Sequence, residues 1–130
     1  MTPEQLVDTM PYAKALGMAV TAADPAEVVG HLDWGPELCT TGGLVHGGAL
    51  MTLADSLGAI CAFLNLPPGA GTSTIESKTN LFRGVRSGRV HGTSTPLHVG
   101  RTTIVVQTDL RDDRGKRVAL VTQTQAVITG

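Results

Sequence analysis

The run from Gly47 to Leu66 constrains the fold more than any other part of the chain, because it carries a single charge, Asp55, and its apolar residues recur at helical spacing. Leu50, Leu53, Ala54, Leu57, Ile60, Cys61 and Leu64 fall on one stripe, which predicts a helix. At 100° per residue Asp55 lies about 140° from Leu50, among Met51, Gly58, Ala59 and Ala62, which are small or apolar. A helix apolar on nearly every side needs cover on nearly every side. Its length and apolarity also raise the question of a membrane span. Asp55 in the middle, Thr52 and Ser56 beside it, and amphipathic segments elsewhere that need an apolar partner favour a core helix, so no membrane partner is expected. Asn65, Pro67, Pro68 and Gly69 end the run.

Four strand-like segments follow: Thr72 to Phe82, Gly88 to His98, Arg101 to Leu110 and Arg117 to Ile128. Asp112-Asp113-Arg114-Gly115 supplies turn residues, so the last two strands should pair antiparallel. In the last strand Val118, Leu120, Thr122, Thr124 and Ala126 share one face, and Ala119, Val121, Gln123, Gln125 and Val127 share the other. Both faces are partly apolar, so one is expected on the helix and the other against a second subunit. Ahead of the helix, Pro3 to Leu16 has the spacing of one short surface helix. Ala26 to Trp34 alternates as a strand ended by Pro36, and Leu38 to Val45, with Thr40, Thr41, Gly42 and Gly43, is a loop. This order predicts a single α+β domain over residues 1–130, with an antiparallel sheet wrapped around a long central helix. The open side of that helix is covered most simply by a second copy of the chain.

Composition removes several functions. Ten basic against eleven acidic residues leave a net charge of −1, and aromatics are only 3%, so no nucleic-acid partner is expected. Cys39 and Cys61 form neither a disulfide framework nor a C-x-x-C pair, and the N-terminus lacks the basic start and apolar core of a signal peptide, so a cytoplasmic location is expected. His31, His46, His91 and His98 show no zinc-type spacing, and no metal or redox cofactor is expected. Gly42-Gly43 and Gly47-Gly48 lack both the Lys-Ser/Thr of a phosphate loop and the strand context of a dinucleotide fingerprint. There is no G-x-S-x-G elbow, and Cys61 sits on the apolar stripe, where a thiol behaves as a small hydrophobe.

What remains is His46-Gly47-Gly48 at the helix start, with Asp55 two turns further in. A helix N-terminus offers unpaired N–H groups, and glycines admit a ligand carbonyl close to the backbone, as an oxyanion hole requires. Asp55 on an apolar helix carries a desolvation cost unless something uses it, which suits a nucleophile or a general base. Each residue taken singly also has a plain structural reading. His46 can bond a backbone carbonyl, the glycines can allow close packing, and Asp55 can pair with an arginine across an interface.

The run Gly43 to Ser56 (GLVHGGALMTLADS) resembles the signature of hotdog-fold acyl-CoA thioesterases, specifically the PaaI-like branch, and the likeness covers nearly the whole chain. Gly88 to Gly92 and Pro96 to Arg101 are similar to the branch members acting on 4-hydroxybenzoyl-CoA and 1,4-dihydroxy-2-naphthoyl-CoA. The resemblance implies a helix wrapped by a sheet, paired into homodimers and then homotetramers, with active sites at the dimer interface. It implies that His46 and the Gly47 N–H polarise the thioester carbonyl, with Gly48 beside them. It further implies that Asp55 of the partner subunit attacks the carbonyl or activates water. The substrate implied is an aromatic or medium-chain acyl-CoA, which is the only small molecule required.

Two positions depart from the pattern: Thr40 stands where Asn or Gln is usual six residues before the histidine, and Ala59 stands where Ser or Thr is common four residues after the carboxylate. Both replacements reduce the hydrogen bonds available at the site. They leave room for the alternative of a non-catalytic acyl-CoA binding or sensing protein. Because CoA is anionic, Arg83, Arg86, Arg89 and Arg101 form a candidate entry cluster, with Arg83 and Arg101-Thr102 the expected nucleotide contacts. Phe82 and Met51 are candidates for the acyl pocket, although core packing explains both equally well.

Overall fold

The computed structural model describes all 130 residues. In chain order it comprises helices α1 (Pro3–Asp8) and α2 (Pro11–Leu16), strands β1 (Ala19–Asp24) and β2 (Glu27–Asp33), and the long helix α3 (Gly47–Leu64). Strands β3 (Gly71–Leu81), β4 (Arg89–Val99), β5 (Thr103–Arg111) and β6 (Arg117–Ile128) complete it. The strands form one antiparallel sheet in the order β1-β2-β4-β5-β6-β3. Because α3 joins β2 to β3 at the far edge, it crosses one face of the sheet and meets every strand. Leu53, Ala54, Leu57 and Cys61 of α3 are fully buried on the sheet face that carries Val28, Val90, Val106 and Val121, which are buried with them. Each such leucine contributes about 1.5–3 kcal/mol relative to exposure. This is the expected wrapped-helix layout, and it accounts for an apolar helix long enough to cross a membrane, because here the sheet covers it.

Three local expectations need correction. Pro3 to Leu16 is two helices, because Pro11 disfavours the helical conformation at the residue before it and Met10 sits at φ −120°, ψ 84°. Strand β1 went unforeseen, since three alanines carry little strand signal. It pairs with β2 through a turn in which the Asp24 carboxylate accepts the Ala26 and Glu27 amides at 2.8 and 3.1 Å. Helix α3 ends at Leu64 as expected, where the Asn65 side chain caps it by donating to the Cys61 carbonyl at 2.8 Å. Finally, α3 is not covered all round: Gly48, Met51, Asp55 and Phe63 form an exposed stripe, with Ala59 half-buried, because the sheet lies on one side only. In β6 the residues turned to the helix are Ala119, Val121, Gln123 and Gln125, all buried.

Candidate active site

The loop between β2 and α3 is built to place His46. The Trp34 indole N–H donates to the Gly43 carbonyl at 2.9 Å, the Val45 amide to Val85 at 2.9 Å, and the His46 amide to Leu38 at 2.8 Å. His46 is the N-cap of α3, and its Nδ1 accepts the Gly48 N–H at 2.8 Å. With Nδ1 engaged as an acceptor, a neutral ring carries its proton on Nε2, which is left as a donor. Gly47, the first residue of the helix, has no carbonyl one turn back for its own N–H. Two donors, His46 Nε2 and Gly47 N, therefore stand at the positive end of the helix dipole. A Cβ at Gly47 would lie 3.0 Å from Leu81 Cδ1, the end of an exposed side chain that can move aside.

Asp55 is about 13 Å further along the helix axis at 1.5 Å per residue, so one protomer does not bring it to His46. It is exposed at an open cleft of about 570 Å³, lined by Met10, Pro11 and Tyr12 on one side and by Gly48, Met51 and Asp55 on the other. Behind it the carboxylate is held: Oδ1 accepts from Gln123 Nε2 at 3.2 Å and faces Thr74 Oγ1 at 3.5 Å. Gln123 Nε2 also donates to Gln125 Oε1 at 3.0 Å, Thr74 Oγ1 donates to the same oxygen at 2.6 Å, and Gln125 Nε2 donates to Thr72 Oγ1 at 3.1 Å. Gln123 Oε1 is buried with no donor, a state that costs about 1–3 kcal/mol. Sequence reasoning missed Gln123, Gln125 and Thr74. The available signal was a pair of glutamines in the register of Ala119 and Val121, where the pleat demands apolar residues.

Met10 also lines a second, apolar cavity of about 230 Å³ with Leu6, Ala59, Ile60 and Phe63, so it borders both the cleft beside Met51 and the cavity beside Ala59. Phe82 is exposed just beyond β3, and Thr40 is exposed in the loop six residues before His46.

The arginine cluster divides. Arg83, Arg86 and Arg114 surround a polar cleft of about 390 Å³ with Asp112 and Asp113. Backbone N–H donation from Lys116 holds the Asp112 carboxyl below its ordinary value, and donation from His91 does the same for Asp113. These two anions offset part of the positive charge there. Arg89 is instead engaged with Asp33 at 2.6 Å. The amide of Arg83 bonds Val118 at the start of β6, whereas Thr102 bonds Val127 at its end, about 30 Å away at 3.3 Å per residue. Arg83 and Arg101-Thr102 of one protomer therefore cannot grip the same nucleotide, because β4 carries the chain across the sheet between them.

Residues 42–119, which include the loop, α3, and β3 to β5, match the family model for the thioesterase superfamily. The chain belongs to that superfamily. The wrapped helix is the hotdog fold, and the relatives and solved structures that the chain resembles include thioester hydrolases. Among these relatives, the 1,4-dihydroxy-2-naphthoyl-CoA hydrolase of Escherichia coli is 34% identical over 86 residues, covering 66% of this chain and 63% of the hydrolase. A Vibrio cholerae relative is matched over 57% of its length. The crystal structure of a Haemophilus influenzae thioesterase superposes with a TM-score of 0.93 at 27% identity, over 99% of this chain and 92% of that one. A mutant thioesterase from Pseudomonas aeruginosa gives 0.92 at 31% identity, over 98% and 94%.

Proposed function

We propose that the protein is a homodimeric acyl-CoA thioesterase whose sites form between subunits. His46 and Gly47 of one subunit would polarise the thioester carbonyl, and Asp55 of the other would drive its hydrolysis. The observation that carries this reading is the pair of free donors at the α3 N-terminus, with the only carboxylate of that helix on its exposed stripe. In one route an Asp55 oxygen adds to the carbonyl carbon, CoA leaves as a thiolate, and water cleaves the resulting anhydride. In the other, Asp55 takes a proton from the water that attacks. Both give free acid and CoA, and both place negative charge on the carbonyl oxygen, where two donors stabilise it.

The separation of His46 from Asp55 along one helix supports a shared site, as does the edge of the sheet. Strand β3 has eleven residues and an unpaired edge, with Ile75 and Leu81 exposed, and Met51 and Phe63 are exposed on the adjoining helix. Antiparallel pairing of two β3 edges would cover both surfaces, and pairing of dimers would give a tetramer. Arg83 and Arg101-Thr102 would then reach one CoA nucleotide only from different subunits. The acyl group fits the apolar cavity past Ala59 toward Phe63, which favours an aliphatic or plain aromatic chain. Two free cysteines, one of them buried, suit a reducing cytoplasm.

Free-thiol release from a panel of acyl-CoAs tests the reading. Asp55→Asn is expected to lower kcat on the best substrate by about 100-fold or more. Wild-type turnover in that variant would exclude the mechanism. Mixing refolded Asp55→Asn with His46→Ala should restore about a quarter of wild-type activity if sites are shared. The exposed Thr40 and the apolar Ala59 favour one second reading, an acyl-CoA binding protein without turnover, which the same panel decides.

A further inference from the structure

We infer that Gln123, backed by Gln125, is a positioning residue for Asp55: it occupies Oδ1 and so leaves Oδ2 as the oxygen that acts on the thioester or on water. This rests on the reading of Asp55 as the reacting carboxylate. Nothing in the recognised motif includes Gln123, which lies 68 residues from Asp55 on β6.

The geometry limits what else these side chains can do. A hydroxyl has one proton, and that of Thr74 goes to Gln125 Oε1 at 2.6 Å, so its 3.5 Å approach to Asp55 adds little. Gln123 is therefore the principal donor to the carboxylate. Both of its amide protons are committed, one to Asp55 and one to Gln125. Turning the amide over would set its oxygen against the carboxylate and against Gln125 Oε1, two acceptors that cannot donate to it. The orientation observed instead strands Oε1 in the space beside Gly58, without a donor. Gln125 is fixed in turn because its own Nε2 is bonded to Thr72. A fully buried amide that keeps one acceptor unsatisfied in order to present a proton to an exposed carboxylate is arranged for the carboxylate rather than for the fold.

The arrangement also answers the two departures in the motif. Thr40 and Ala59 withhold hydrogen bonds from the pocket side, and Gln123 supplies one from the sheet side.

The test is Gln123→Met, which keeps the length and removes the donor, assayed beside Asp55→Asn and Gln125→Met on the best acyl-CoA. Gln123→Met is expected to lower kcat by about 10-fold or more with KM nearly unchanged, because the substrate still binds and only the reacting oxygen is loosened. Its melting temperature should hold or rise, since the stranded acceptor is gone. A merely structural glutamine would give the reverse: lower stability with wild-type kcat per folded molecule, which overturns the inference. Gln125→Met acts one bond further back and should show a smaller fall in kcat. If Gln123→Met does not fold, a folded Gln125→Met with wild-type kcat overturns the inference by itself. Loss of activity in Asp55→Asn with full activity in Gln123→Met removes only the positioning role. Full activity in Asp55→Asn removes the function proposed for Asp55 and this role with it.

Discussion

Leu57 and Gly58 are neighbours on α3 and meet the sheet in opposite ways. Leu57 enters a notch made by Gly30 and Gly92, which are directly paired across β2 and β4. A Cβ at Gly30 would lie 2.7 Å from Leu57 Cδ2, and one at Gly92 would lie 2.5 Å from Leu57 Cδ1. One step along the helix the roles reverse: Gly58 leaves the space, and the Gln123 amide from β6 fills it. Both contacts are close approaches made where a glycine leaves room for the partner side chain. The first is wholly apolar and sets where the helix sits. The second is polar and ends on Asp55, so a 100° turn of the helix separates what holds the fold from what shapes the site.

The sharpest way to break that contrast is to add one methyl on each side. Gly30→Ala has the largest expected effect on stability, about 3 kcal/mol, because a Cβ there meets the Ala19 carbonyl at 2.5 Å as well as Leu57, and backbone cannot swing aside. Urea unfolding measures it, and kcat per folded molecule should stay near wild type. Gly58→Ala should cost stability only about 1 kcal/mol or less, since the obstacle is the end of a flexible side chain and alanine regains about 1 kcal/mol of helix propensity. Its kcat should nevertheless fall, because the methyl displaces the amide that holds Asp55. Equal midpoints for the two variants, or equal kcat, would dissolve the distinction between the two contacts.

The contrast also marks what the sequence can disclose. Helix α3 was legible because its apolar residues repeat at 3.6, and Asp55 because it is the one charge among them. His46 and Gly47 were legible through a local motif whose cap and free N–H need no distant partner. Gln123 and Gln125 share a face with Ala119 and Val121 in the sequence pattern, but both faces read as mixed and neither is marked as the one on the helix, since a glutamine in a strand ordinarily points to solvent. Nothing local signals a hydrogen bond across 68 residues, and the notch at Gly30 and Gly92 is invisible for the same reason, because it needs the register of three elements at once. The arginines teach something else: Arg83 and Arg101 are near in sequence, but within one subunit β4 carries Arg101 to the opposite end of β6 from Arg83, a separation that spacing alone does not show.

The smallest expected effect belongs to the sheet face turned away from α3, where charges replace the notch and the amide. Arg89 Nε binds Asp33 at 2.6 Å, His91 Nε2 meets Asp113 at 2.7 Å, and His31 stands opposite His91. Hydrogen bonding from Arg89 holds the Asp33 carboxyl below its ordinary 3.8, and hydrogen bonding from His91 does the same for Asp113. Burial first, then the Arg89 charge, push His31 below its ordinary 6.5. All three groups bind fewer protons folded than unfolded, so their stabilisation is whole above pH 6.5. The His31 share is lost as pH falls through the window beneath 6.5, and the carboxylate share as it falls beneath 3.8. Arg89→Gln removes a cause common to Asp33 and His31, so its stability should vary less with pH in both windows, although burial still acts on His31. These side chains are exposed, so the wild-type pH dependence should be shallow and fade with added salt. Urea midpoints from pH 7 to pH 3 at low and high salt measure both trends. A loss in Arg89→Gln as large as in Gly30→Ala would place the outer face on a level with the Leu57 notch, and the charges would then be part of what positions the helix.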